Sequence, residues 1–499
     1  MNQSIENVLK TYFHLNEFRT GQREIIDAVL QRNDVVAMLP TGAGKSLCYQ
    51  LPGYLLDGPI LIVSPLLSLM EDQVEQIKLR GEKRVIALNS TIPFMQRKNY
   101  LQNIREYRYI YVSPEIMQID YVLSALKTAA ISLFVVDEAH CISQWGHDFR
   151  PDYSRLGEIR RALHHPPCLA VTATATEEVL EDIQRVLQFR SESKKFVYSI
   201  DRPNIAISVE KLSSIDEKIV KLLYFVRSLK GPGIIYCSSR LWTERLAQIL
   251  IDASVDHVGY YHGGMDQEQR ILIQQQFIYD QLQIVCCTNA FGMGINKQNI
   301  RYVIHFHFPA QLESYMQEIG RAGRDGHPSL ALTLLTEADY EVPKTLMESE
   351  FPSYEKLYRT IYFLHKNNVQ SCSFEKINEQ CGLSETQWRY VEYHLMSLKN
   401  RMLKPEELIA TIWLEIEKRI TLKQVKLREM TNWLTADSCR RQKLLAYFDE
   451  AYTGHVTVNC CDSCGIDYSS FMGALTKQEV GLEMNWEEEL KAIFRMKSD

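Results

Sequence analysis

Short, nearly unbroken apolar runs recur along the first two thirds of the chain, spaced by amphipathic stretches. They are VVAML at 35–39, ILIVS at 60–64, YIYVS at 109–113, LFVVD at 133–137 and LAVTA at 169–173. Runs of this kind suit strands buried on both faces of a parallel sheet, with helices covering the faces. The rhythm pauses at Arg202-Pro203-Asn204 and restarts with GIIYCS at 233–238, IVCCT at 284–288 and YVIHF at 302–306. Two successive βα blocks predict two doubly wound α/β lobes with a cleft between them.

Past Pro343 the strand rhythm stops. Leu357, Ile361 and Leu364 share one face of a helix over 354–367, and 374–399 has helix-turn-helix spacing with Gly382 in its turn. Residues 409–418 alternate as a strand would, which predicts a winged helix. No solenoid-length repeat or low-complexity tract interrupts the chain. The expected layout is a first lobe over 1–203, a second over 204–343, a winged-helix-like region over 344–430, a cysteine module over 431–468 and a tail over 469–499.

Composition changes this picture little. The chain has 499 residues, enough for about two to four domains, and 24% charged residues against 45% hydrophobic places it among globular proteins rather than disordered ones. The first residues lack the basic start and apolar core of a secretory signal, and no apolar run reaches the roughly 18–20 residues that span a bilayer. A cytoplasmic protein with no membrane partner is expected. The net charge of −6 argues against bulk coating of nucleic acid, but not against a motor that grips a backbone in a narrow groove. Residues 386–443 run against the trend, with twelve Lys/Arg to seven Asp/Glu. Duplex DNA docking at Arg389, Lys399 and Arg401 is the expectation there.

Three motifs carry chemistry. Thr41-Gly42-Ala43-Gly44-Lys45-Ser46 lies between a strand and a helix, where glycines let backbone N–H groups wrap phosphate oxygens. Lys45 would reach the β/γ-phosphates and the Ser46 hydroxyl would ligate Mg²⁺, with Thr41, Gly42 and Gly44 shaping the cradle. Leu39 stands where the general phosphate-loop pattern has Gly. Asp137-Glu138-Ala139-His140 ends an apolar strand, which brings two carboxylates to the sheet edge. Asp137 is suited to holding Mg²⁺ and Glu138 to activating water. Gln317 to Gly326 contains Arg321 and Arg324 three apart among glycines. Alone this reads as a basic exposed turn; with the other two motifs it reads as guanidinium groups for a transferring phosphoryl. His140 and Gln317 complete the catalytic set.

Taken together, these motifs resemble the RecQ family of ATP-dependent DNA helicases. Phe18 to Gln22 is similar to the family motif in which the glutamine reads adenine, so Gln22 is expected at the base. Ser64-Pro65-Leu66 and Ser113-Pro114-Glu115 resemble motifs touching single-stranded DNA. Val171 to Thr176 resembles the motif coupling nucleotide state to lobe movement, and Ala290 to Lys297 the second-lobe motif facing ATP and DNA. Cys141 to Pro151 resembles the aromatic-rich loop of the family, where Trp145, His147 and Phe149 offer faces for base stacking and Arg150 a cation for phosphate.

Twelve cysteines are present, and four of them, Cys439, Cys460, Cys461 and Cys464, gather late in the chain. In a reducing compartment such a group reads as a metal site, and the family resemblance implies structural Zn²⁺. Cys460 and Cys461 are adjacent where the family separates its second and third cysteines, so sharing one ion demands an unusual backbone turn. The 35 residues after Cys464 hold neither the winged helix nor the small helical domain that the family usually places there. The resemblance implies two RecA-like lobes, ATP with Mg²⁺, movement 3′ to 5′ on single-stranded DNA, unwinding of duplex DNA, and a role in recombination and repair. It also implies single-strand-binding and recombination proteins as partners. An RNA helicase, or a non-catalytic DNA-binding regulator using the 374–399 helices, would be the rival readings.

Overall fold

The apolar runs of the first block become strands of one parallel sheet. They are β1 (Val35–Met38), β2 (Ile60–Val63), β3 (Val85–Leu88), β4 (Tyr109–Val112), β5 (Leu133–Val136), β6 (Cys168–Thr172) and β7 (Lys194–Val197), in spatial order β3-β4-β2-β5-β6-β1-β7. The second block forms β8 (Ile205–Lys211), β9 (Gly233–Tyr236), β10 (Val258–Tyr261), β11 (Ile284–Cys287), β12 (Tyr302–His305) and β13 (Ser329–Leu335), ordered β10-β11-β9-β12-β13-β8 and again all parallel. The computed structural model describes residues 4–65, 67–143, 150–291, 297–367, 374–398, 403–452 and 459–473. Among them no helix is long and apolar enough to cross a membrane.

Five strands, β3, β7, β8, β10 and β13, fall outside those runs; β13 is buried throughout and β8 over five of its seven residues, whereas β7 has little to bury. At one edge of the first sheet, three of the four β7 residues are exposed and the strand carries Lys194 and Lys195, as edge strands often do to discourage pairing. Central β1, β2, β4, β5 and β6 are buried throughout. In this order β6 lies between β1 and β5, so the loops leaving β1 and β5 flank its end.

A buried charge network closes the base of this lobe. Asp34, just before β1, accepts from Arg160, from the Cys168 N–H at 3.0 Å and from the Arg190 N–H at 2.9 Å. Arg160 also donates to the carbonyls of Pro166 and Leu187 at 2.9 and 2.8 Å. Both side chains are fully buried. Burial opposes the Asp34 charge, but hydrogen bonds from Arg190 and Arg160 outweigh it and pull the carboxyl down to about 2. The depressed value means the ionised network stabilises the fold above the ordinary carboxyl pKa and is lost as pH falls toward about 2. Asp34→Asn is expected to weaken the lobe at neutral pH by about 3–5 kcal/mol, because it strands a buried guanidinium. The shift of the corresponding urea transition measures it, and the deficit should shrink in acid.

The chain divides into two units: one holds both sheets together with the residues from Ala436 onward, the other holds Glu337–Thr435 with Pro309–Leu312. In the first unit the cysteine segment completes the second sheet. The Ile207 N–H of β8 donates to the Cys460 carbonyl at 3.2 Å, and the Asp462 N–H returns to Ile207 at 3.0 Å. Buried Phe471 joins the lobe core with Phe225 and Leu229. An otherwise bare strand edge is thereby covered.

The second unit is helical. Its helices Tyr354–Asn367, Phe374–Cys381, Glu385–Leu398 and Pro405–Leu434 share a core containing Leu357, Ile361, Leu364, Ile377, Val391 and Leu398. Gly382, at φ +67°, turns the chain between the second and third, as the helix-turn-helix spacing predicts. The wing is a correction: 409–418 is not a strand but part of the 30-residue helix Pro405–Leu434. The buried residues within 409–418 are Ile409, Ile412 and Ile416, three and four apart, which is helical spacing. Pro405 in the first turn, acidic Glu406 and Glu407 after it, and the Glu407 carboxylate accepting the Lys404 N–H at 2.9 Å start that helix.

Candidate functional site

The phosphate loop leaves β1 and bends through Gly42 and Gly44, both left-handed at φ +88° and +80°. Their lack of side chains is used. A Cβ on Gly44 would lie 2.6 Å from Gln22 Nε2, and one on Gly42 would lie 3.3 Å from Arg324 Cγ. Gln22 is buried and spends its amide on the loop itself, donating to the carbonyls of Ala43 at 2.9 Å and Gly44 at 3.2 Å while accepting from the Arg19 N–H. In this structure it braces the loop as well as lining the cleft.

Asp137 and Glu138 follow β5 on the far side of β6. Glu138 sits at φ +47°, a left-handed conformation that disfavours a side-chain-bearing residue by roughly 1–2 kcal/mol. The twist puts its carboxylate 3.9 Å from Lys45 Nζ and 3.4 Å from His140 Nδ1. His140 is buried and also pairs with Thr172 Oγ1 at 3.0 Å, tying the acid pair to the end of β6. Burial and the neighbouring Glu138 push the Asp137 carboxyl up to about 7. The Lys45 ammonium offsets the two carboxylates only in part, and a divalent cation fits beside them on that ground.

Arginine residues arrive from the second lobe. Arg321, Arg324 and Gln317 line the same cleft as Thr41, Gly42, Gly44, Lys45, Ser46, Asp137 and Glu138, a cavity of about 540 Å³. Phe13, Leu15, Arg19, Gln50, Gln73 and Arg80 line it as well. Burial, then the charges of Arg321 and Arg202, pull Arg324 below the ordinary arginine range. The cluster therefore calls for anionic oxygen at its centre.

Sequence reading singled out neither Arg202 nor Asn204 as site residues, though both hold the arginine turn. Asn204 Nδ2 donates to the Gly323 carbonyl at 2.9 Å, and Arg202 reaches both lobes. Nor did it single out His305, whose Nε2 is 2.8 Å from Glu318 Oε2 at the end of the helix carrying Gln317. Strand ends next to Gly-rich turns were the available signal.

The segments Ser64-Pro65 and Ser113-Pro114 follow the neighbouring strands β2 and β4, on the β3 side of the first sheet. Arg150 donates to the Pro65 carbonyl at 2.7 Å, so part of its guanidinium is already engaged in anchoring the end of the aromatic-rich loop. Trp145, His147 and Phe149, expected to stack on bases, lie outside the described residues, as do Gly292 to Asn296, Lys399 and Arg401. Arg389, expected at duplex DNA, pairs with Glu385 one helical turn away at 2.6 Å.

Cys439, Cys460, Cys461 and Cys464 converge, their sulfurs all within 4.8 Å of one another. Cys439 Sγ lies 3.8 Å from Cys460 Sγ and 3.9 Å from Cys461 Sγ. Four thiolates at about 2.3 Å from one Zn²⁺ would stand roughly 3.8 Å apart, whereas a disulfide needs about 2.05 Å. Zinc fits, with the adjacent pair included. Left-handed Asn459, at φ +69°, bends the chain just before Cys460. One Zn²⁺ per chain is expected on metal analysis. Because the cluster is hydrogen-bonded to β8, chelation or Cys461→Ser should lower the thermal midpoint of the lobe by several degrees. That needs only ~3 kcal/mol of a metal-binding free energy that reaches about 10–16 in zinc peptides.

Comparison with known proteins agrees with this geometry. Residues 19–183 match the model of the DEAD/DEAH box helicase family, 215–326 the helicase conserved C-terminal domain, and 401–465 the RecQ zinc-binding family. The chain is 46% identical over 496 residues to a probable ATP-dependent DNA helicase RecS of Bacillus subtilis, covering 99% of this chain and 98% of that protein. It is 42% identical over 353 residues to the ATP-dependent DNA helicase RecQ of Pasteurella multocida, covering 70% of this chain but 55% of that longer protein. Among solved structures, Mss116p bound to single-stranded RNA and AMP-PNP superposes with a TM-score of 0.57 at 15% identity, covering 85% of this chain and 89% of that one. At that identity the likeness shows the shared fold.

Proposed function

The chain belongs to the RecQ family and is an ATP-dependent DNA helicase, and we propose that its two RecA-like lobes hydrolyse ATP in their shared cleft. One observation carries the reading: Lys45 and Glu138 of the first lobe line the same cavity as Arg321 and Arg324 of the second. Neither lobe alone holds a complete set for phosphoryl transfer, so hydrolysis requires the lobes to be apposed.

In this reading the loop N–H groups and Lys45 bind the β/γ-phosphates, and Ser46 with Asp137 would hold Mg²⁺. Bound Mg²⁺ supplies charge neutralisation at the phosphate oxygens. Glu138 orients the attacking water and takes its proton, leaving Lys45 for the phosphate. His140 keeps Glu138 in register with β6. Arg321 and Arg324 spread the charge of the transferring group, and Gln317 borders it. Gln22 positions the loop and would meet the adenine beside Arg19. Trp145, His147, Phe149 and Arg150 would report DNA to the acid pair, which lies directly before them in sequence.

Translocation runs 3′ to 5′ on single-stranded DNA with unwinding of duplex DNA ahead, in recombination and repair in the cytoplasm, beside single-strand-binding and recombination proteins. Zinc at Cys439, Cys460, Cys461 and Cys464 serves structure. Unwinding assays on duplexes with a 3′ tail, a 5′ tail or an RNA loading strand test this. The 3′-tailed DNA should be opened only with ATP. Preference for the 5′ tail would reverse the polarity, and RNA-stimulated turnover above the DNA-stimulated rate would replace the substrate.

A further inference from the structure

The segment that joins the lobes is built as a clamp. Arg202, its central residue, is largely buried and donates in two directions. Nη1 reaches the Thr41 carbonyl of the phosphate loop at 3.1 Å and the Gly320 carbonyl of the arginine turn at 3.1 Å. Nη2 reaches the carbonyls of Ala322 at 3.0 Å and Gly323 at 2.6 Å, on either side of the turn's left-handed glycine. One guanidinium thus bonds the loop that would hold the phosphates and the backbone on both sides of Arg321. The two motifs are closely packed there: a Cβ on Gly320 would lie 3.2 Å from Thr41 Cβ.

The same segment is held from behind by the cysteine module. Arg441 is buried and donates to the Asp201 carboxylate, to the Arg202 carbonyl at 3.0 Å and to the Ile205 carbonyl, and its Nη2 lies 3.4 Å from the Cys460 carbonyl. Glu450 accepts the Ile200 N–H at 2.9 Å. A continuous chain of charge-assisted bonds therefore runs from the cysteine cluster through Arg441 and Arg202 to the two halves of the cleft.

We propose that Arg202 is a positioning residue that sets the distance between the phosphate loop and the arginine turn, and that Arg441 fixes it to the cysteine module. Arg202 does not line the cavity, whereas Arg321 and Arg324 do, so it acts through them. A ground-state nucleotide held by Lys45 and the loop does not need that distance to be right. A transferring phosphoryl does, because its charge has to meet the guanidinium groups, and a misplacement of about 1 Å lowers turnover by about 10²-fold. Lysine cannot substitute: a single ammonium on a flexible stem has no planar fork with which to bond carbonyls on both sides.

The inference rests on the proposed ATPase activity, and the test separates the two. Steady-state ATPase at saturating single-stranded DNA is measured for the wild type, Arg202→Ala, Arg202→Lys and Arg441→Gln, each with its thermal midpoint. Binding of a non-hydrolysable ATP analogue and of ADP with vanadate is measured in parallel. Expected are a fall of about 10²-fold in kcat for both Arg202 variants, little change in KM or analogue affinity, and a loss of ADP–vanadate affinity matching the fall in kcat. Arg202→Lys keeps charge and bulk, so it answers the question if Arg202→Ala does not fold. Arg441→Gln should shift the same ratio of the two affinities in the same direction. An Arg202→Lys protein that keeps wild-type kcat, or that loses analogue and vanadate binding together, overturns the positioning role. An unchanged ratio in Arg441→Gln removes the link to the cysteine module. A wild type without DNA-stimulated turnover refutes the activity itself.

Discussion

Glu138→Gln is expected to lower DNA-stimulated ATP turnover by about 10²- to 10⁴-fold while leaving ATP binding nearly intact. The amide keeps the shape of the carboxylate but cannot take a proton from water. Binding persists because the phosphate contacts come from Lys45 and the loop, and the substitution removes the negative charge lying 3.9 Å from Lys45. The left-handed backbone at Glu138 tolerates glutamine no worse than glutamate, so the fold should be unchanged. Single-turnover hydrolysis beside equilibrium ATP binding measures the split. Near-normal turnover would remove Glu138 from the chemistry.

Arg324→Ala should be at least as severe, with kcat down by about 10³-fold or more, the range seen when an arginine that stabilises a transferring phosphoryl is lost. The geometry favours a transition-state role over simple binding. Arg324 comes from the second lobe yet packs against Gly42 of the first, and burial with its neighbours Arg321 and Arg202 disfavours its charge until an anion arrives. Truncation also removes a charge that its guanidinium neighbours disfavour, so turnover should fall far more than the stability of the nucleotide-free protein. Thermal midpoints with and without ATP check this: the apo value should change by a few degrees at most while turnover collapses. A fall in apo stability with kcat unchanged would make Arg324 a packing residue.

Much of this was open to reading in one dimension because its signals are local. An apolar run fully buried between two helix layers announces itself, as β2 and β5 do, and the glycines of 41–46 are needed for bends that neighbouring residues define. Edge strands such as β7 bury too little to stand out. The 409–418 segment misled for a related reason: alternating and helical burial share positions over so short a window, and only the full run from Pro405, with Ile409, Ile412 and Ile416 inward, separates them. For Cys460 the spacing rule was the weak guide, since the turn at Asn459 brings adjacent thiols to one centre.

Local chemistry in the chain was enough for the motif residues, the two-lobe alternation and the cysteine group, because each depends on residue types in local patterns, and the family followed from the resemblance those motifs carry. The three-dimensional packing alone assigned the rest. Arg202 meets Thr41 and Gly320 across separations of 161 and 118 residues, and Arg441 meets Asp201 across 240. No pattern in sequence marks an arginine whose partners are backbone carbonyls, since every residue offers one and only the fold decides which are left to accept.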